Sequence, residues 1–201
     1  MDGNIPRLSI IIPRRMEEGA ELTLKSLATQ TFKDFSTIVV PDEGKGASWA
    51  RNEGFKRVES EYVLFSDNDI DWKPNALEVM MSALRRYPKA SYAYGRYKIG
   101  DLVIGHKLFD PIALLKNNYI STMSIIRSKD FCGFDEKLKR FQDWDLWLTM
   151  TKQGKRGVYC NELIFETPLR EGISIGGQAM IEALKAISDK HFLNLPEFQY
   201  V

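Results

Sequence analysis

Apolar residues from Leu8 to Ile12, stopped by Pro13, read as a strand buried on both faces, as parallel strands are. Glu18 to Gln30 follows with Leu22, Leu24 and Leu27 at helical spacing, and Ser36 to Val40 gives a second, β-branched strand. Ala47 to Val58 has a helical pattern. Tyr62 to Ser66 is a third apolar strand, running straight into the acidic cluster Asp67 to Asp71. A helix starting at Pro74 and ending at Arg86 comes next, proline being tolerated in a first turn. Ala90 to Tyr97 and Ser121 to Arg127 read as strands, and Gly105 to Pro111 as a loop. Asp143 to Lys152 reads as a helix with Gly154 as its left-handed cap, and Gln178 to Lys190 as a C-terminal helix.

Strand alternating with helix at this spacing implies right-handed crossovers. The expected fold is therefore α/β, a single Rossmann-like domain with a mostly parallel central sheet and helices on both faces. In such a sheet, ligands bind beyond the carboxyl ends of the strands. The expected layout is a first half over about 8–96, a second half over about 97–175, and the terminal helix over about 176–193.

Composition narrows the function classes. With 28 Lys+Arg against 27 Asp+Glu there is no basic excess to draw the chain onto nucleic acid. Cys132 and Cys160 lack metal-ligand spacing and read as reduced, packed thiols. Met1 to Arg7 lacks the apolar core of a signal peptide, and no apolar run approaches the roughly 18 to 20 residues of a membrane span. A soluble, cytoplasmic protein is expected, able to touch a membrane through a partner or a lipid acceptor.

The sharpest chemical feature is Asp67, Asn68, Asp69 directly after a buried strand. Two acids on a tight turn reach one hard cation from the same side, and oxygen ligands suit magnesium or manganese. An acidic turn with Asn68 left-handed is the plain alternative. Asp42 and Glu43 close the second strand at the same rim, where they accept hydrogen bonds from a base or ribose or simply face solvent in a turn beside Gly44 and Gly46. The segment from Gly44 to Ser48 lacks the spacing of a phosphate-binding P-loop. Arg51, like Arg14 and Arg15, offers a planar fork of donors to a diphosphate, or is an ordinary exposed arginine. Asp143 stands at a helix start, where backbone N–H groups keep a carboxylate ionised. There it serves as a catalytic base or as an N-cap. Lone His106 and His191 read as surface or packing residues. Tyr119, Trp72 and Trp144 line a sugar site or belong to the core.

The stretches SIIIP, LKSLATQTFKDFSTIVVPDEG, ARNEGFKRVESEYVLFSDNDIDWKPNAL and GFDEKLKRFQDWDLW, in this order, resemble the family 2 inverting glycosyltransferases of the GT-A fold. The likeness covers roughly Ser9 to Ser174. It implies that Pro13 and Asp42 line the nucleoside pocket with Arg14 alongside, that Arg51 holds the nucleotide, and that Asp67 and Asn68 approach ribose and phosphate. It makes Asp69, with Asp67, the site of a divalent metal, Mn2+ or Mg2+, and Asp143 the base that takes the acceptor proton. Arg170 matches loosely a basic residue near the diphosphate. The sequence departs from the family pattern at Arg14, Arg15 and Met16, at Glu43, at Ile70 and at Gln142.

The resemblance thus implies transfer of a sugar from a nucleotide-diphosphate donor, UDP by family habit, to a hydroxyl on a glycan, lipid or other acceptor. A non-catalytic nucleotide-sugar-binding module and a magnesium-dependent nucleotidyltransferase are the competing readings.

Overall fold

Strand β1, Leu8–Arg14, lies between β2, Phe35–Pro41, and β3, Tyr62–Phe65, and pairs in parallel with both. The structure is a computed structural model that describes residues 5–15, 19–168 and 178–193. Alternation along β1 divides the core. Leu8, Ile10 and Ile12 meet helices α1, Glu21–Ala28, and α3, Ala76–Arg86, through Leu27, Leu77, Met80 and Leu84. Ile11, with Val63 and Phe65, faces α2, Ala47–Phe55, α5, Gln142–Lys152, and α6, Gln178–His191, through Ala50, Trp147 and Ile187. The period of two along a pleated strand thus places a packed layer on each face of the sheet.

The other strands are β4, Asp71–Trp72, β5, Tyr92–Ile99, β6, Leu102–Ile104, β7, Ile125–Arg127, and β8, Gly157–Thr167; a single-turn helix α4, Pro111–Leu114, sits between β6 and β7. The sheet order is β2-β1-β3-β7-β5-β8-β4, with β6 attached to β5. The long registers, β1 with β2, β1 with β3 and β5 with β8, are parallel, whereas β7 runs against both β3 and β5. This reversal matters for the site, because the segment entering β7 lies at the same rim as the segments leaving β3, β5 and β8.

Several expectations are corrected. Only Ile125–Arg127 of the expected strand from Ser121 enters the ladder. Ser121 Oγ accepts the Met123 N–H at 3.2 Å and its carbonyl accepts from Ser124 Oγ at 2.7 Å, a local bonding that competes with sheet pairing. Strands β4, β6 and β8 were not expected. In β8 the register against β5 shifts around Gly95, Arg96 and Tyr97, which breaks the alternation that would announce a strand. Helix α3 begins at Ala76 rather than Pro74, and its N-terminus is served from a distance: the Leu77 N–H donates to Gln30 Oε1 at 3.1 Å, while Gln30 Nε2 donates to the Lys73 carbonyl at 2.8 Å. Cys160 is buried but Cys132 is exposed, and both are free thiols.

Helix α2 rides close on the sheet because residue 54 is glycine. A Cβ there would stand 2.5 Å from Ile11 Cγ2 and 3.1 Å from Val40 Cγ2, both in packed strands. Gly54→Ala should therefore destabilise the fold by about 1–3 kcal/mol, the usual cost of overpacking. A urea titration checks this, the expected result being a lower midpoint with an unchanged slope.

Candidate active site

Two adjoining cavities open at the carboxyl rim of the sheet. One, of about 190 Å³, is lined by Pro13, Arg14, Arg15, Asp42, Gly46, Arg51, Asp67 and Asn68. The other, of about 270 Å³, is walled by Asp67, Asp69, Tyr97, Met123, Asp143, Phe165 and Thr167. Asp67 borders both. Pro13, Arg14, Asp42, Arg51, Asp67, Asn68, Asp69 and Asp143 thus line these two cavities, with Asp69 and Asp143 in the same one. Arg170 and Met16 lie outside the described residues.

The acidic turn is held from α1. Thr23, fully buried, donates to the Asp67 carbonyl at 2.9 Å and accepts the Ile70 N–H at 2.8 Å. Ser26 Oγ donates to the Ile70 carbonyl at 3.1 Å, and Asn68 Nδ2 donates to the Gly19 carbonyl at 2.9 Å. The turn does not rely on a left-handed Asn68: the described non-glycine residues with positive φ are Glu43, Phe141 and Phe192. Thr167 Oγ1 lies 3.5 Å from Asp69 Oδ2, linking the end of β8 to the turn.

Arg51 is no surface arginine. It is 6% exposed, its guanidinium lies 5.3 Å from the centre of the Phe134 ring, and its Nη2 donates to Asp67 Oδ1 at 2.7 Å. A buried arginine beside a half-open carboxylate keeps a positive edge on the rim, where a diphosphate would find two-pronged donors. Asn52, next in α2, clamps the segment before α5 by donating to the Phe134 carbonyl at 2.9 Å and accepting the Phe134 N–H at 2.9 Å. Asp42 Oδ1 accepts the Gly44 N–H at 3.1 Å, the turn contact expected of an Asp before glycine. The chain then reverses through Gly44 and Gly46 at φ 74 and 96, and Gly46 leads into α2.

Asp143 occupies the first turn of α5 but does not cap it. The N-cap is Phe141, left-handed at φ 59 with no side-chain bond. The carboxylate accepts the Trp144 N–H at 2.8 Å on Oδ1 and Asn118 Nδ2 at 2.8 Å on Oδ2. Two buried indoles hold the partner segment in place: Trp144 Nε1 donates to the Leu114 carbonyl at 2.7 Å and Trp147 Nε1 to the Ile120 carbonyl at 2.8 Å. Burial pushes the Asp143 carboxyl above the usual range, and the hydrogen bonds from Trp144 and Asn118 and the charge of Arg51 offset this only in part. Burial also raises the Tyr97 phenol, helped by the negative charge of Asp143.

Asp145, two residues on, has a different task. It is 2% exposed and pairs with Lys190 at 2.9 Å and His191 at 2.7 Å, fastening the last turn of α6 to α5. His191 is thus buried at an ion pair, whereas His106 is exposed. Trp72, Trp144 and Tyr119 are buried in the core and do not offer faces to a sugar.

Residues that reasoning from sequence did not single out include Thr23, Tyr97, Asn118 and Thr167. Asn118 and Thr167 stand in segments without periodic pattern, so nothing local marks them. Among the described residues no three His, Cys, Asp or Glu side chains converge as a closed metal cage.

Residues 21–130 match the model of Glycosyl transferase family 2. Similar proteins include a UDP-Glc:alpha-D-GlcNAc-diphosphoundecaprenol beta-1,3-glucosyltransferase of Escherichia coli, 25% identical over 178 residues that cover 72% of this chain and 70% of that protein. A putative teichuronic acid biosynthesis glycosyltransferase of Bacillus subtilis is 24% identical over 139 residues, 64% of this chain and 55% of the relative. Among solved structures, S. aureus TarS 1-349 in complex with UDP-GlcNAc superposes with a TM-score of 0.72 at 20% identity, over 95% of this chain and 68% of that one. The longer S. aureus TarS gives 0.70 at 19% identity, and this chain spans 41% of it. At such identities the structural likeness establishes the α/β fold.

Proposed function

The chain belongs to glycosyl transferase family 2, and from that premise we propose that it is an inverting glycosyltransferase which moves a sugar from a UDP-sugar to an acceptor hydroxyl in a single displacement. The observation that carries this reading is the shared cavity of Asp69 and Asp143, joined through Asp67 to the cavity of Pro13, Asp42 and Arg51. A donor lying across Asp67 has its nucleotide beside the basic wall and its sugar beside Asp143. The acceptor is a lipid-linked or other glycan hydroxyl; the diphosphoundecaprenol-linked acceptor named for the E. coli relative favours the lipid-linked kind.

In this mechanism Asp143 is the base. Asn118 and the Trp144 N–H fix its carboxylate, and it takes the proton as the acceptor oxygen attacks the anomeric carbon. The bond from that carbon to the diphosphate breaks on the opposite face, so the configuration inverts without a covalent sugar-enzyme species. Arg51 bears on the charge left on the nucleotide. Tyr97, Met123 and Phe165 wall the cavity with apolar surface and limit water, the competing acceptor.

The donor chemistry of the rim fits a magnesium or manganese ion of the open kind, held by one or two carboxylates and completed by phosphate oxygens and water. Asp69 would be its main ligand, with Asp67 beside it, one of whose oxygens already receives Arg51. When bound, such an ion supplies positive charge that stabilises the departing diphosphate.

A panel of nucleotide sugars, tested for thermal stabilisation with and without manganese, examines the reading. A UDP-sugar at 100 times its Kd should stabilise the chain by about 2.7 kcal/mol, since it binds the folded state alone. Transfer should release UDP. If no nucleotide sugar raises the melting temperature and pyrophosphate is the product that accumulates, the reading fails.

A further inference from the structure

Eleven large hydrophobic side chains are exposed among the described residues, and five of them, Leu102, Val103, Leu108, Ile112 and Leu115, fall in one short stretch around α4. Local structure turns them outward. Asp110 caps α4 by accepting the Ile112 and Ala113 N–H groups at 2.9 and 3.1 Å on Oδ1. Leu114 is fully buried, and its carbonyl is tied to the Trp144 indole. With Leu114 inward, Ile112 and Leu115, three residues apart, share the outer face, and Ile112 is 62% exposed. Leu108, just before the cap, is 73% exposed. Leaving such side chains in water forgoes the burial that drives packing elsewhere in the fold.

Charge says what the surface meets. From Leu102 to Asn118 the sequence holds one acid, Asp110, against Lys107 and Lys116, and Asp110 is engaged as the cap. Lys116 is exposed, and the Lys107 side chain is half exposed, with its ammonium 3.9 Å from Asp110 Oδ2. Apolar side chains flanked by lysines suit the boundary of an anionic bilayer, where the former enter the acyl edge and the latter meet phosphate. No described helix is long and apolar enough to cross a membrane, so the contact is with the surface.

The same stretch leads directly into the reaction site. Asn118, three residues after Leu115, holds the Asp143 carboxylate, and Ser121 to Met123 wall its cavity. We propose that the segment Lys107–Lys116 is the face by which the chain rests on an anionic lipid surface, presenting the Asp143 side of the cavity to an acceptor borne by that surface. This rests on the proposed glycosyltransferase reading for its acceptor, but the lipid contact is measurable without any transfer.

The test is co-sedimentation of the full chain with vesicles of phosphatidylcholine alone and of phosphatidylcholine with phosphatidylglycerol. Binding is expected to the anionic vesicles, weakening as salt is raised. Lys116→Gln should weaken it about fivefold, and the double variant Leu108→Asp, Ile112→Asp should abolish it. UDP-sugar stabilisation of the double variant, which touches neither cavity, should match that of the parent and shows that it is folded. Equal binding by parent and double variant overturns the proposal, as does no binding to anionic vesicles. Self-association that the double variant abolishes, with no vesicle binding by either, overturns it in favour of a second copy. Vesicle binding without stabilisation by any nucleotide sugar leaves the surface standing and counts against the transferase reading.

Discussion

Asp143→Asn is expected to lower turnover by roughly 10²- to 10⁴-fold, the range of general-base catalysis, while donor affinity stays near that of the parent. The amide keeps the shape and loses the basicity. Steady-state kinetics should show the loss in kcat with the KM for the donor little changed, and a variant retaining near-normal turnover would remove Asp143 from the mechanism. The stability effect has a definite sign. Burial raises the Asp143 carboxyl, so the folded state favours the protonated acid. That preference helps the fold at low pH and disappears as pH rises through the raised value, leaving an ionised group that costs stability near neutrality. A neutral Asn at 143 should therefore remove that fall in stability with rising pH, while giving up one of the two hydrogen bonds that the carboxylate accepts. For the same reason the acid limb of the parent's kcat/KM profile should lie above the ordinary carboxylate range, because the base acts only once ionised. Its disappearance from the residual rate of Asp143→Asn would tie that limb to this residue.

Asp69→Asn should cost several kcal/mol of transition-state stabilisation, about 10²-fold or more in kcat, if this carboxylate is the main protein ligand to the divalent ion. Turnover alone would not separate a lost ligand from a disturbed turn. The separating measurement is thermal stabilisation by UDP: in the parent manganese should add to it, and in Asp69→Asn that increment should vanish while the metal-free stabilisation persists. The turn has independent support from Thr23, Ser26 and Asn68, none of which bonds through the Asp69 carboxylate, so the variant should fold. A manganese increment that survives the substitution would move the ion elsewhere. Removing metal from the parent with a chelator should lower turnover to a similar degree, and excess manganese should restore it.

Much of this protein is legible in its sequence because the signals are local. The apolar runs around Ile10, Val39 and Leu64 mark the three parallel strands, and their order implies the rim at which ligands collect. Asp42 and the Asp67 to Asp69 triplet follow directly from strand ends, so their place at that rim needs no knowledge of distant contacts. The helix carrying Asp143 is likewise visible in the spacing of Leu146, Trp147 and Met150.

What the tertiary structure alone decided depends on residues far apart in the chain. Only pairing across the sheet brings β7 antiparallel beside β3, and with it Met123 to the cavity and Asn118 to the Asp143 carboxylate. Thr167 meets Asp69 from 98 positions away in the chain. Of the two acids in the Asp143-Trp144-Asp145 sequence, either suits a base. They project about 200° apart around the helix, and α6, by pairing its buried His191 and its exposed Lys190 with Asp145, leaves Asp143 to face the cavity. Arg51 is the same case: its spacing in α2 is that of any surface arginine, and only the packing of α2 on the sheet buries it against Phe134 and aims it at Asp67. Periodicity says which residues share a face, while the identity of the neighbour on that face is set by contacts between elements, and those depend on the whole chain.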